Sequence, residues 1–409
     1  MGRMTRRRSA RPGRLRAAAT GRLRAGAPSV RVLVASDWAP IRAFAPIVRA
    51  DPGAIYGDLL PILRGADLRI VNCECALTSA ATPVWKSGAV FKGDPAHVAG
   101  LTVVPFDVAC LANNHVLDYG VAGLRESLRV LHQHGVRTVG AGLTGEQAHA
   151  PLTLTINGQR IHLVNLSEGE DLTASQGGPG VFGWDIPRAD ALVRRLKASG
   201  GLVVVIAHCG LEYVPYPPPY VVSAFRALAD AGADCVIGHH PHVPQGIERW
   251  HGRTIVYSLG NFVFYQATAL LHRKTGFCVE LRCEGGRIRG VDTHPYRITD
   301  SGLRRLGGSE ERAFARNLTS LSRPFATAAG PARAWDAWLA YYGDTGFRAE
   351  VLGILDTMRT EPQKGAAMFR NRITTAQHVE LWRTYLTQVM EGGRRGYSRA
   401  ACRMVEEYF

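Results

Sequence analysis

Apolar residues run along this chain in short blocks separated by turn residues, and block after block ends on a polar side chain. Val30–Ser36 (V-R-V-L-V-A-S) alternates and predicts a strand that ends at Asp37. Asp67–Val71 predicts a second strand leading into Asn72-Cys73-Glu74, and Val108–Ala112 a third leading into Asn113-Asn114-His115. Ile55–Leu63 is a short helical pattern, and Gly120–His134 sets Val121, Leu124, Leu128 and Leu131 at helical spacing before a strand at Val136–Val139. Leu152–Ile156 and Arg160–Asn165 flank Asn157-Gly158, the strongest short hairpin signal in the chain. After a loop rich in Gly and Ser (Ser167–Gly183), which could serve as a lid, a helix starts at Pro187, where proline suits the first turn. Leu202–Ala207 is a strand ending at His208, and the helical stretch Tyr220–Ala231 leads into Cys235-Val236-Ile237, then Gly238-His239-His240-Pro241-His242.

Strands alternating with helices predict an α/β fold with parallel pairing. Thr254–Tyr257, Phe262–Phe264, Phe277–Arg282 and Arg287–Val291 read as antiparallel strands closing a second sheet. Beyond residue 300 the pattern turns helical, at Pro331–Tyr342, Phe347–Thr357, Thr375–Met390 and Ser398–Tyr408, with aromatic residues expected in the core. The expected organisation is a basic tail over 1–29, an α/β domain over 30–300 and a helical extension over 301–409 packed on it.

Charge changes this picture only at one end. The net charge of +15 suggests nucleic acid until it is located: residues 1–29 hold nine arginines and no acid, and without them +6 remains. That segment has no apolar periodicity and reads as a disordered tail, so a nucleic-acid partner is not expected. No apolar run is long enough to span a membrane, and none follows the arginines as a signal peptide requires, so a cytoplasmic protein without membrane contact is expected. The eight cysteines form no C-x-x-C pair and several fall in strands, which fits buried free thiols.

The chemistry gathers at the strand ends. Asp37, Glu74, Asn114, His208 and the pair His240/His242 each follow an apolar strand directly. Open α/β sheets place ligands at the carboxyl ends of their strands. The period of two puts His240 and His242 on one side, with Pro241 stiffening the link. A hydrogen-bonded histidine loop would explain H-x-H alone; five strand ends converging on O and N donors favour one or two divalent cations such as Mn²⁺, Fe²⁺, Zn²⁺ or Ca²⁺. Cys73, Cys75 and Cys209 flank these positions and are read as packing rather than as thiolate ligands. His132, His134, His149 and His251 lie outside the pattern and read as structural. Lys86 and Lys92 follow Glu74 and either hold a substrate carboxylate or are solvated surface charges.

Residues 31–265 resemble the CapA family, named for its poly-γ-glutamate capsule members, within the calcineurin-like metallophosphoesterase superfamily. The matching pieces are Val71-Asn72-Cys73-Glu74, Leu111-Ala112-Asn113-Asn114-His115 with Asp118-Tyr119-Gly120, His208-Cys209-Gly210-Leu211-Glu212-Tyr213, Gly238-His239-His240-Pro241-His242 and Tyr257-Ser258-Leu259-Gly260-Asn261-Phe262. The resemblance implies a four-layer α/β/β/α sandwich of metallophosphatase type. It implies one metal held by Asp37, Glu74 and His242, and another sharing Glu74 and held by Asn114, His208 and His240. His115 would move a proton. Two departures stand out: Asp37-Trp38-Ala39 lacks the histidine of the superfamily's Asp-x-His, and Val116 stands where an acid usually follows His115, leaving Asp118 to orient it.

A thinned first metal site suits a Lewis acid that polarises a carbonyl, and soluble relatives of this fold include a peptide epimerase of lasso-peptide biosynthesis. The expected function is therefore metal-dependent inversion of a Cα centre in a ribosomal precursor peptide. His115 would act on one face, and Asp118, Glu212 or a metal-bound water on the other. The alternative is a soluble metallohydrolase of a phosphoester or a peptide or γ-glutamyl amide, with His115 protonating the leaving group. The third reading is a non-catalytic subunit of poly-γ-glutamate synthesis. The expected partner in each is a peptide or polyglutamyl-type substrate.

Overall fold

The computed structural model describes residues 29–169, 177–392 and 399–408. The expected basic tail thus lies, apart from Ser29, outside the described residues, as does the middle of the Ser167–Gly183 loop. In chain order the strands of the two large sheets are β1 (Ser29–Ala39), β2 (Leu68–Cys73), β3 (Val108–Cys110), β4 (Arg137–Val139), β5 (Leu152–Ile156), β6 (Gln159–Ser167) and β7 (Leu202–His208). They continue with β8 (Cys235–His239), β9 (Ile247–Trp250), β10 (Arg253–Val256), β11 (Asn261–Phe264), β12 (Thr275–Glu284), β13 (Arg287–Thr299) and β14 (Gly302–Arg305). One sheet runs β14-β13-β12-β1-β2-β3-β4, with β11 beside the far end of β1; the other runs β9-β10-β8-β7-β6-β5.

Side-chain alternation builds the layers. Val30, Val32 and Val34 of β1 meet Leu163, Val204 and Ile237 between the sheets, while Leu33 and Ala35 turn outward towards Phe44 and Leu124. On the second sheet Val204 and Ile206 face inward, and Val203, Val205 and Ala207 face outward. The helix α1 (Gly120–Gln133) buries Leu124 and Leu131 in the first outer core. The helices α2 (Ile186–Ala198) and α3 (Pro219–Ala231) bury Val193 and Phe225 in the second. The fold is an α/β/β/α sandwich. Each buried Val, Leu or Ile contributes about 1.5–3 kcal/mol, so three apolar layers hold the strand ends rigidly enough to carry a site.

The strands after residue 250 do not form one antiparallel sheet. β10 runs parallel to β8 in the second sheet, whereas β11 runs parallel and β12 antiparallel to β1 in the first. Alternation marks a segment as a strand but carries no information about its neighbour. Past β14 come α4 (Gly308–Ser322), α5 (Gly330–Thr345), α6 (Phe347–Thr360), α7 (Pro362–Thr374), α8 (Ala376–Met390) and α9 (Arg399–Glu406). Two of these, α4 and α7, were not among the expected helices; α4 buries Phe314 and Leu321, and α7 buries Gly365 and Asn371. The aromatic residues of α5 are core: Trp335, Trp338 and Tyr342 pack on Leu211, Val214, Tyr216 and Val243. Among the described residues no helix is long and apolar enough to cross a membrane.

Candidate metal centre and acid–base cluster

Strand parity explains part of the site. Asn72 and Glu74 share the face of Leu68 and Ile70, and His208 shares that of Val204 and Ile206, so all three look into the gap between the sheets. By the same rule Asp37 would follow Leu33 and Ala35 outward. A register shift between Val34 and Asp37 breaks the alternation and turns Asp37 into the gap. His240 and His242 are not placed by strand parity either, contrary to expectation. They follow β8 with φ of 96° and 56°, a left-handed backbone that non-glycine residues seldom adopt. That conformation aims both rings at the carboxylates and is of the kind found at functional sites.

The donors form a chain of close approaches. His242 Nδ1 lies 3.4 Å from Asp37 Oδ2 and its Nε2 lies 3.6 Å from Glu74 Oε1. His208 Nε2 lies 3.3 Å from the same Glu74 oxygen, 2.9 Å from Asn114 Oδ1 and 3.1 Å from His240 Nδ1. Glu74 stands at the centre, and ligand atoms of Glu74, His240 and His242, and of Asp37, Glu74 and His208, lie within 4.8 Å of one another. Asp37 and Glu74 are fully buried, and His208, His240 and His242 nearly so.

The electrostatics fit a cation. Burial opposes the charge on Asp37, but the neighbouring imidazoles of His239 and His242 outweigh it and hold the carboxyl well below the usual range. Glu74 goes the other way: burial raises its pKa well above the ordinary value, and the nearby charges of Asp37 and Glu212 add to this. Asp37 Oδ2, both Glu74 oxygens and His242 Nδ1 are buried with no hydrogen-bond partner. Leaving buried carboxylate oxygens unpaired costs several kcal/mol, which a cation among them would offset. The donors are oxygen and imidazole nitrogen, the set expected for a divalent ion. The three cysteines beside the ligands are buried in the apolar layers as free thiols.

His115 stands next to this centre in a separate cluster. Its Nδ1 lies 2.7 Å from Asp118 Oδ2, which also accepts from Phe91 N at 2.6 Å. The other Asp118 oxygen accepts from Lys86 Nζ at 2.8 Å, and Lys86 donates to Asn114 O at 2.6 Å as well. Lys86 is only 7% exposed, in the cavity wall, so it is not a solvated surface lysine. Lys92 is a surface residue that donates to Ala80 O. Burial pushes the His115 pKa down to about 4, the Lys86 charge pushes the same way, and Asp118 opposes both.

A cavity of about 400 Å³ opens over the cluster, with Asn114, His115, Glu212, His240 and His242 in its wall. Glu212 keeps its contact with water through this opening although protein surrounds it. Burial works against its charge, but the imidazoles of His242, His240 and His115 outweigh it and keep the carboxyl below its ordinary value. Asp118 differs: it is 1% exposed, with both oxygens engaged.

Several neighbours went unassigned in the sequence. Asn72 donates to Asp37 Oδ1 at 2.8 Å and lies 3.2 Å from His208 Nδ1; its parity with Glu74 was the available signal. Asn113 Oδ1 accepts from the backbone N–H of His115 and Val116, setting the turn that presents Asn114 and His115. His239 Nδ1 lies 3.2 Å from Asp37 Oδ1, a contact from the opposite sheet that no local pattern announces. His132, His134, His149 and His251 bond to Thr138, Val130, Gly145 and Asp230, away from the site.

Two sheets packed face to face, with carboxylate and imidazole donors meeting at their strand ends around a shared glutamate, define a protein of the metallophosphoesterase-like class. Within that class the sequence falls in one family. The model of the bacterial capsule synthesis protein family, PGA_cap, matches residues 20–266, and the chain belongs to it. It is 37% identical over 217 residues to the PGA biosynthesis protein CapA of Bacillus subtilis, covering 52% of this chain and 57% of that one. It is 34% identical over 204 residues to the capsule biosynthesis protein CapA of Bacillus anthracis, covering 48% of each. A probable polyglutamine synthesis accessory protein of Mycobacterium tuberculosis is 27% identical over 293 residues, with 66% and 77% covered. The match thus spans about half the length of the two Bacillus relatives.

Proposed function

We propose that the protein is a metal-dependent acid–base enzyme acting on a peptide or polyglutamyl-type substrate, and that its reaction is inversion of a Cα centre. The observation that carries this reading is the pairing of an oriented, uncharged imidazole with an ionised carboxylate, His115 and Glu212, on the wall of one cavity beside the metal ligands. Asp37, Glu74 and His242 on one side, and Glu74, Asn114, His208 and His240 on the other, would hold one or two divalent cations. A cation held there would supply Lewis acidity, which lowers the barrier to removing a Cα–H next to a carbonyl or carboxylate.

His115 donates its Nδ1–H to Asp118, which leaves the Nε2 lone pair to take the Cα proton. Asp118 is committed to Lys86, Phe91 and His115, so its part is to orient the ring rather than to exchange protons with substrate. Glu212, open to the cavity water, relays a solvent proton to the other face. The names of the relatives favour a glutamyl or peptidyl chain as substrate.

Incubating the metal-loaded protein with peptide in D₂O tests this. Gain of one deuterium at Cα without cleavage is the expected result, and its absence with every peptide tried, at full metal occupancy, would sink the reading. Hydrolysis of a phosphoester or of a peptide or γ-glutamyl amide is the second reading. It is favoured by the shared Glu74, which suits two cations acting on one bond. Cleavage products in the same experiment would select it. Inertness with either readout would leave a non-catalytic role in polyglutamate synthesis.

A further inference from the structure

The helices beyond residue 300 lie outside the matched region, residues 20–266, yet they line the cavity through Met368, Arg372 and His378 and hold the site's loops at three further points. Trp335 and Trp338 of α5 pack on Leu211 and Val214, in the loop after His208. Gln377 of α8, with its amide nitrogen turned towards two acceptors, donates to Gly210 O at 2.6 Å and Glu168 Oε1 at 2.9 Å. At the third point, Lys364 of α7 directs its ammonium into three consecutive carbonyls, Lys86 O, Ser87 O and Gly88 O, at 3.0, 2.6 and 2.8 Å. An ammonium has three N–H donors, so the whole of this one is given to the backbone of a single turn.

Besides Lys364, that turn is held at its ends, where Val84 and Phe91 donate to Asp118, and by Arg372 Nη1, 3.4 Å from Ser87 Oγ. Residues 78–91 form neither helix nor strand, and they carry Lys86 into the Asp118–His115 cluster. We propose that Lys364 is a positioning residue for the acid–base group. By fixing the backbone at 86–88, it fixes where the Lys86 ammonium meets Asp118, and through Asp118 the orientation of the His115 ring. The C-terminal helices are then a working part of the site. This inference rests on the role given to His115 above, and its test separates the two.

Hydrogen–deuterium exchange of the full-length protein, read peptide by peptide without substrate, addresses the clamp alone. Lys364→Met is expected to speed exchange at 84–92 about tenfold while leaving α8 unchanged. Lys364→Arg, which keeps the charge and the donors, should restore most of the protection. Arg359→Met, at an exposed position on α6, is the control and should leave the loop as in wild type. Unchanged protection at 84–92 in Lys364→Met would overturn the clamp. So would a loss spread evenly over 347–390, which would make Lys364 a packing residue of the helices. In the D₂O reaction Lys364→Met should lower kcat with KM nearly constant; a loosened loop with unaltered kcat would overturn the positioning role. No incorporation by the wild-type protein would instead remove the reaction assigned to His115, with the clamp still judged by exchange.

Discussion

The Nδ1 nitrogen of His115 lies 2.7 Å from a carboxylate oxygen of Asp118, three residues further along the chain. Both groups are buried, and the second oxygen of Asp118 is held by Lys86, itself buried. This arrangement fixes which ring nitrogen carries the proton and leaves the other as a base. It also makes the base sensitive to a charge it never exchanges protons with, since Lys86 disfavours the imidazolium that Asp118 favours.

Lys86→Met should therefore change the pH dependence of the reaction. The His115 pKa is held near 4 by burial first and by the Lys86 charge second. Without that charge it rises, so the acid limb of kcat/KM moves to higher pH, by about one unit. A limb that stays in place would show that Lys86 does not act on this ring.

His115→Ala removes the proposed base and should cost about 10²- to 10⁴-fold in turnover. Metal content, measured on the same preparation, should remain that of the wild type, because His115 belongs to the cluster beside the ligands. Loss of metal together with activity would place His115 among the ligands instead.

Glu74 is the carboxylate common to both ligand groups, so Glu74→Gln should abolish tight binding of divalent metal. In the wild-type protein, chelation should lower the melting temperature. Metal at about 100 times its Kd contributes about 2.7 kcal/mol of stability, and the variant should show no such metal-dependent shift. Calorimetry with Mn²⁺ or Zn²⁺ decides both points.

Glu168 carries a stability signature of its own. Burial raises its pKa to about 7, against the bonds from Tyr220 and Gly210, and its Oε2 has no partner. Its folded pKa lies above the unfolded value, so the folded state favours the protonated form. The contribution is full below the unfolded pKa and is lost as pH rises through about 7, amounting to about 3 kcal/mol. Unfolding in urea at pH 5 and pH 8 should show a larger drop for wild type than for Glu168→Gln. Equal drops would mean that the proton on Glu168 is not linked to folding.

Much of the candidate site was legible because apolar runs end on polar side chains: Asp37, Glu74, Asn114, His208 and the His240/His242 pair follow five strands and meet in one cluster. What was not legible depends on contacts across the chain. Lys86 looks like any loop lysine until Asp118, 32 residues later, folds against it. His239 meets Asp37 from the other sheet, and the left-handed backbone at His240 and His242 replaces the simple alternation assumed for them. The same limit applied to the fold, where β10 and β11 were recognised as strands but their separate sheets were set by partners that alternation cannot name.

The pairing of β1 has a consequence for the order in which the molecule is made. Arg31 of β1 lies opposite Arg282 of β12, and Asp37 lies opposite Asn261 of β11. The strand that carries the first ligand therefore emerges from the ribosome early and waits for about 250 residues before its second edge is covered. Until β8 and the loop after it are made, Asp37 has Asn72 beside it but neither His239 nor His242. A nascent chain arrested before Ile237 would carry Asp37, Glu74, Asn114 and His208 without His240 and His242, beside an open sheet edge exposed to mispairing with other strands. The proposed cation site is thereby completed only with the second sheet, and a truncated product would carry both carboxylates with His208 as the one imidazole of the set.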